Sequence, residues 1–114
     1  MLWTYENVRR CLNGDDEFVF HNLASTRFVR GADGVFHLEY HGSRIVTYHP
    51  DNTFTVDTCG YATKTTKARI NEFSPVVVVQ KRGMLYLVNG ENENIEFFDG
   101  MRVDAFGFPV EDEP

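Results

Sequence analysis

Hydrophobic and polar residues alternate over several short stretches of the chain, a pattern typical of strands that have one buried face. The alternation is clearest at residues 35–40, where Phe36, Leu38 and Tyr40 fall on one side of the predicted strand. Turn-forming Gly, Pro, Asn and Asp residues separate this stretch from its neighbours. The pattern therefore predicts an antiparallel meander with strands at residues 27–30, 35–40, 43–48 and 53–57.

The N-terminal residues show helical rather than alternating spacing. Thr4 is a suitable N-cap, and Val8 and Leu12 lie four residues apart on one helical face. Asn13 and Gly14 follow directly and favour the left-handed conformation that ends a helix. An amphipathic N-terminal helix is therefore predicted.

A second, short helix is predicted in the middle of the chain. Thr65 or Thr66 can act as its N-cap, it continues to about Phe73, and Pro75 prevents it from extending further. Residues 61–67 are rich in Thr and Lys and poor in apolar side chains, so we expect an irregular surface loop before the helix.

The rest of the chain again favours strands. Residues 76–81 and 84–88 flank Arg82 and Gly83 and predict a hairpin. Two shorter stretches near the C-terminus predict a last hairpin, and one stretch before the meander predicts a short strand; these are residues 95–98, 101–103 and 18–20.

These elements predict an α+β fold: a small, mostly antiparallel sheet, made of a meander plus a hairpin, with an N-terminal helix and one short central helix. The length of 114 residues is typical of one domain, and we expect residues 1–114 to form it. Apolar residues make up 42% of the chain, which is enough for a hydrophobic core.

The two cysteines, Cys11 and Cys59, do not make a disulfide framework, and reduced thiols are expected. The N-terminus has neither the basic nor the long apolar segment of an export signal, and no stretch is long and apolar enough to span a membrane. We therefore expect a protein of the host-cell cytoplasm with no membrane partner.

Acidic residues are concentrated in the last quarter of the chain. The net charge is −6, and from residue 88 onward eight acids accompany a single base, Arg102. This distribution argues against binding to duplex DNA, which needs a basic surface. The acids either solubilise this end of the chain or form a surface that docks on a basic protein, with Glu91, Glu93 and Glu96 as the candidate partner-binding residues.

Residues 59–71 read Cys-Gly-Tyr-Ala-Thr-Lys-Thr-Thr-Lys-Ala-Arg-Ile-Asn. This string, with residues 22–29 and 40–48, resembles a group of small proteins of tailed bacteriophages that mostly have no assigned activity. Their pattern is Gly-Gly-Trp-x-Thr-x-Thr-Thr-Lys-x-Arg-Ile-Asn, and the resemblance covers residues 22–73. Cys59 and Tyr61 stand where that pattern has Gly and Trp. The resemblance implies a phage or prophage setting but no chemistry.

The same segment offers hydroxyls, cations and an amide close to a helix N-terminus, where an anion such as phosphate is favoured. An exposed tyrosine nearby could stack on a base. The alternative is that the threonines only cap the helix and the arginine pairs with an acid or an aromatic ring, and no Gly-rich phosphate loop is present. The candidate ligand-binding residues are Tyr61, Thr63, Thr65, Thr66, Lys67, Arg69 and Asn71.

Catalytic and metal chemistry have weaker support. His37, Glu39 and His41 share one strand face, but residues four apart on a strand lie too far apart for one metal ion. Cys59 with His41 or His49 is a conceivable nucleophile and base. We predict no metal, no cofactor and no catalytic residues, and we lean against an enzyme.

The aromatic residues near the acidic end are expected in the core, with a protein-binding edge as the alternative; they are Phe97, Phe98, Phe106 and Phe108. The sequence favours a small phage accessory or host-interaction protein that binds and modulates or inhibits a host or phage protein. The alternative is a protein that binds a nucleotide or single-stranded nucleic acid through residues 63–71. Exposed edge strands would also be compatible with a homodimer.

Overall fold

The computed structural model describes residues 3–110, and Glu111, Asp112 and Glu113 of the predicted acidic surface lie outside them. The described residues form two α-helices, Tyr5–Leu12 (α1) and Lys64–Phe73 (α2). The strands are Glu17–Val19 (β1), Thr26–Arg30 (β2), Phe36–Tyr40 (β3), Ser43–Tyr48 (β4), Phe54–Val56 (β5), Val77–Lys81 (β6), Met84–Val88 (β7), Asn94–Glu96 (β8) and Met101–Val103 (β9). The α+β fold and its antiparallel strands are as predicted.

The larger sheet has the strand order β1-β2-β3-β4-β5-β9, and every neighbouring pair is antiparallel. The predicted meander forms its centre, since β2 to β5 follow one another in the chain and in the sheet. Phe28, Leu38 and Val46 pair across β2, β3 and β4 and are fully buried. Alternation in the sequence therefore identified the buried face at Phe36 and Leu38, whereas Glu39 on the opposite side is also buried and Tyr40 is only half-buried.

The smaller sheet has the order β6-β7-β8. Its first hairpin turns at Arg82 and Gly83, which have φ angles of 53° and 80°, as expected for a two-residue hairpin turn. The predicted last hairpin is wrong, because β8 pairs with β7 whereas β9 pairs with β5 in the larger sheet. The carboxylate of Asp99 ties the segment before β9 to the end of β5: it accepts hydrogen bonds from the backbone N–H and hydroxyl of Thr58, two residues after that strand.

Helix α1 begins and ends at the predicted residues. Thr4 and Asn7 form a reciprocal capping box, in which each side chain accepts a hydrogen bond from the other's backbone N–H. Asn13 ends the helix in the left-handed conformation, and Val8 and Leu12 are fully buried. The residues that cap α1 and the residues that it buries are therefore those that the sequence predicted.

Helix α2 begins earlier than predicted. Its N-cap is Thr63, whose hydroxyl accepts the backbone N–H of Thr66 at 3.1 Å, so neither Thr65 nor Thr66 caps it. The loop predicted at residues 61–67 therefore ends at residue 63. Thr66 lies in the first turn and is only 3% exposed, so it belongs to the buried face of the helix and does not cap it.

One hydrophobic cluster includes residues of both helices and both sheets. Tyr48 lies within it and donates a hydrogen bond of 2.6 Å to the carbonyl oxygen of Phe73, the last residue of α2. Among the aromatic residues near the acidic end, Phe97 is buried, whereas Phe98 and Phe106 are 62% and 72% exposed. The expectation that they belong to the core is therefore wrong for Phe98 and Phe106. Between residues 3 and 110, no helix is long and apolar enough to cross a membrane.

Candidate functional site

A cleft of about 640 Å³ opens between the β3–β4 turn and the start of α2. Two separate parts of the chain form its walls, one at the tip of a hairpin and the other at the approach to the helix. Its lining residues are Tyr40, His41, Gly42, Ser43, Thr58, Tyr61, Thr63, Thr65 and Thr66. The cleft has the size of ordinary small-molecule sites.

The β3–β4 turn supplies the first wall. His41 and Gly42 have φ angles of 50° and 80°, so the turn is of the tight two-residue kind. The backbone N–H of His41 also donates to the carbonyl of Ser25, which ties the turn to the start of β2. The rings of Tyr40 and His41 lie 4.5 Å apart at this tip. A rigid hairpin therefore presents these two rings.

A second tight turn, at Cys59 and Gly60, supplies the opposite wall. Cys59 has a φ angle of 54°, a conformation that glycine adopts readily, and it stands where the resembling phage proteins have glycine. The Asp57 carboxylate stabilises this turn by accepting the backbone N–H of Cys59 at 2.6 Å. Tyr61 follows, with its N–H bonded to the carbonyl of Thr58 and its side chain 67% exposed.

Four of the seven predicted ligand-binding residues line this cleft. Thr63 and Thr66 are engaged with each other, since their hydroxyl oxygens lie 2.9 Å apart in addition to the capping bond. Thr65 is half-buried, and Tyr61 lies on the surface. Two of the four threonine and tyrosine side chains therefore have a structural role, and two are available to a ligand.

The other three predicted residues do not line the cleft. Lys67 donates to the side-chain oxygen of Gln80 at 3.1 Å, and the side-chain oxygen of Asn71 accepts the backbone N–H of Val78 at 2.7 Å, so both hold α2 against β6. Arg69 extends in another direction, where it donates to Thr26 and lies 5.8 Å from the centre of the Tyr40 ring. The predicted cluster of cations beside the hydroxyls is therefore not formed.

The structure adds residues to the cleft that the ligand-site prediction missed. Tyr40, His41, Gly42 and Ser43 come from the β3–β4 turn, about 20 positions before the predicted segment, and Thr58 comes from the loop after β5. The sequence contained a signal for the first group, because its His-Gly pair marks a turn and belongs to the same phage-protein resemblance. None of the nine lining residues is Asp, Glu, Lys or Arg.

The side chains considered as metal ligands have other partners, and the thiol considered as a nucleophile is not activated. His37 lies 2.8 Å from the Thr47 hydroxyl, and Glu39 accepts hydrogen bonds from Arg27. Across residues 3–110, no three His, Cys, Asp or Glu side chains are grouped as metal ligands would be. Burial and the nearby Asp57 carboxylate raise the pKa of the Cys59 thiol, which disfavours the reactive thiolate at neutral pH.

The outer face of the small sheet is a second candidate surface. Val78 and Leu87 point to the core and are 2% and 0% exposed, so the residues between them along the strands point outward. Val77 and Met84 on this outward side are 42% and 48% exposed. We define the outer face as Val77, Val79, Lys81, Met84, Tyr86, Val88, Asn94 and Glu96.

The three predicted partner-binding glutamates lie beside this outer face. Glu96 is on β8 and belongs to the face, while Glu91 and Glu93 occupy the turn between β7 and β8. Asn89 organises the turn: its buried side-chain oxygen accepts the backbone N–H groups of Glu91 and Glu93 at 3.0 and 3.1 Å. Gly90 ties the turn to the carbonyl of Phe106. The three carboxylates are exposed and form no ion pair within the described part of the chain.

Comparison with known proteins identifies a family. No curated protein and no solved structure matches the chain. A sequence model of the Kyanoviridae Gp96 protein family matches residues 6–104, which include α1 except its first residue, all of α2, the described strands, the cleft and the acidic turn. This match agrees with the phage setting that residues 22–73 imply. The chain therefore belongs to the Kyanoviridae Gp96 family of phage proteins.

Proposed function

We propose that this phage protein acts in the host cytoplasm by binding another protein, of host or phage origin, through the outer face of its small sheet. The observation that carries the proposal is an uncovered apolar sheet face bordered by a rigid acidic turn. Binding modulates or blocks the partner, and no turnover of substrate is required.

The outer face is more apolar than the exposed side of a sheet usually is, which supports the proposal. An antiparallel sheet that packs one face on a core normally presents polar residues on the other. Here five of the eight outer residues are apolar or aromatic, namely Val77, Val79, Met84, Tyr86 and Val88. None of the five belongs to the hydrophobic core cluster of the described residues. A contiguous apolar patch with a polar rim is typical of protein-binding surfaces.

The charge at the rim indicates the chemistry of the partner. Within residues 3–110, Glu91, Glu93 and Glu96 form no ion pair, and Asn89 holds the backbone of the turn that carries two of them. Exposed carboxylates grouped in this way favour a partner with Lys or Arg around an apolar centre. Such charges increase the association rate and exclude acidic competitors more than they increase affinity.

Site-specific crosslinking tests the proposal. A photo-crosslinking amino acid is placed at Met84 on the outer face, or at Phe18 on β1 as a matched exposed position in the other sheet. We expect a crosslink from position 84 to a protein of the infected cell and none from position 18. The same product from both positions, or only a product of twice the chain's own mass, would contradict binding of another protein at this face.

Charge reversal tests the acidic rim separately. Replacing Glu91, Glu93 and Glu96 by Lys should remove the crosslink from position 84, because it places like charges opposite a basic partner. The matched control replaces three other acids by Lys and so changes the net charge equally; Asp15, Asp16 and Glu72 are exposed and lie outside the outer face and its turn, and their reversal should leave the crosslink unchanged. Equal loss with both variants would mean that net charge, and not this surface, controls the binding.

For the alternative function, binding of a nucleotide or single-stranded nucleic acid, recognition of the phosphate has less support. Lys67 and Arg69, the two cations that would meet a phosphate, are bonded to Gln80 and Thr26. A backbone-binding groove needs exposed cations that follow the strand. Protein binding through the outer face is therefore the function that we propose.

A further inference from the structure

We propose that the cleft between the β3–β4 turn and α2 binds a planar, uncharged nitrogen heterocycle of the nucleobase class, without recognising phosphate. The proposal rests on the cleft's geometry and chemistry and is independent of the outer face of the small sheet. Two sources share this chemistry: a free nucleoside and a base of a single strand.

Tyr61 presents an exposed ring on a fixed backbone at the mouth of the cleft. Its ring is 67% exposed, and it makes no aromatic contact or side-chain hydrogen bond within the described residues. Its backbone is nevertheless fixed on both sides, because its N–H donates to Thr58 and its carbonyl accepts the N–H of Thr63 at 2.8 Å. An aromatic ring held at a concave mouth without a packing partner is suited to stack on a flat ligand.

The side chains around the cleft carry groups that can both donate and accept hydrogen bonds. The hydroxyls of Tyr40, Tyr61 and Thr65 and the ring nitrogens of His41 form no hydrogen bond within residues 3–110. Each hydroxyl both donates and accepts, and a neutral histidine ring offers one donor and one acceptor. Nucleobase edges carry donors and acceptors side by side, so these groups match a base better than a purely accepting or purely donating ligand.

The lining of the cleft contains none of the Asp, Glu, Lys and Arg residues that make up 25% of the chain. Phosphate recognition relies on cations, whose counterion release makes binding fall steeply with salt. We therefore expect binding to this cleft to depend on stacking and hydrogen bonds, and to be nearly independent of salt.

The size of the cleft agrees with this ligand class. Its volume of about 640 Å³ lies in the middle of the range of small-molecule sites and accommodates a nucleoside with water around the sugar. A base carried by a single strand also fits, because the mouth at Tyr61 is open and leaves room for a backbone outside.

The experiment is an NMR titration of the full chain with adenosine, uridine and a short oligothymidine, with ribose 5-phosphate as the base-free probe. We expect a nucleoside or the oligonucleotide to shift the amide signals of residues 40–43 and 61–66 at both 50 and 500 mM salt. Tighter binding of the oligonucleotide than of free nucleosides would identify a single strand as the source, and equal or weaker binding a free nucleoside.

Two variants test the contacts. Tyr61→Ala should weaken binding about 5- to 150-fold, the range typical of losing one stacked base, whereas Phe106→Ala, an equally exposed aromatic outside the lining, should change it less than twofold. Thr65→Val preserves the shape and removes one hydroxyl, and should weaken binding without altering the other amide signals. No shift with any base-containing probe, shifts with ribose 5-phosphate alone, or an unchanged affinity in Tyr61→Ala would overturn the proposal.

Discussion

The hydroxyl of Tyr48 is the polar contact whose removal tests the packing of α2 most directly. Tyr48 is fully buried, its hydroxyl donates to the carbonyl of Phe73 at 2.6 Å, and burial raises the pKa of Tyr48 well above its usual value. Phe73 is the last residue of α2, so its carbonyl has no partner further along the helix. Tyr48→Phe preserves the ring and leaves a buried carbonyl without a donor, which costs about 1–3 kcal/mol.

The effect on thermal unfolding follows from the chain length. The unfolding entropy is about 2.1 cal/mol/K per residue, so for 114 residues this cost corresponds to a fall in Tm of about 4–12 °C. Calorimetry and urea titration measure it, and the urea m-value should stay constant. The matched control is Tyr5→Phe, which removes a hydrogen bond of the same length to Gly34 at the exposed surface. A loss in Tyr48→Phe no greater than that in Tyr5→Phe would refute the reasoning from burial.

Two further predictions concern a histidine and a glycine. Burial and, to a smaller extent, nearby positive charge lower the pKa of His37 to about 4. The contribution of His37 to the free energy of unfolding is therefore present above pH 6.5 and is lost as the pH falls towards 4. A titration midpoint near 6.5, measured by NMR, would contradict this. Gly107→Ala should lower the free energy of unfolding by about 1–3 kcal/mol, because φ is +85° and the added Cβ would lie 2.9 Å from Asn89 and Val76. Gly100→Ala, with φ of +88° and open space, is the control, and an equal loss would mean that backbone strain explains the whole effect.

The elements that the sequence predicted well are those whose signals are local. In strand β3 the alternating apolar residues Phe36 and Leu38 are buried, and Asn13 both follows the last apolar position of α1 and adopts the left-handed conformation that ends it. In each case the residues that define the element also stabilise it, either by burial or by capping. Such elements can be read from a few neighbouring positions, because no distant contact is needed to fix their ends.

The elements that were predicted wrongly depend on distant contacts. Strand β9 has only three residues, and its pairing with β5 is accompanied by a hydrogen bond from Thr58 to Asp99, 41 positions apart. Nothing in residues 95–103 indicates that a side chain outside this stretch directs the chain to another sheet. The predicted start of α2 was wrong for a related reason. Thr63, Thr65 and Thr66 are all suitable N-caps by residue type, and burial of Thr66 in the folded protein is not visible in the local sequence.

Helix geometry explains why the predicted ligand-binding residues do not all lie at one site in the folded protein. Successive helical residues are rotated by about 100°, so positions two apart point in nearly opposite directions, whereas positions four apart share a face. Lys67 and Asn71 accordingly both contact β6, while Arg69 turns towards Thr26 on β2. Only the first turn of α2 faces the cleft, through Thr65 and Thr66, together with Tyr61 and Thr63 before it. The rest of the lining comes from the β3–β4 turn and from Thr58, and it includes no Lys or Arg because Lys67 and Arg69 lie further along the helix and turn towards β6 and β2.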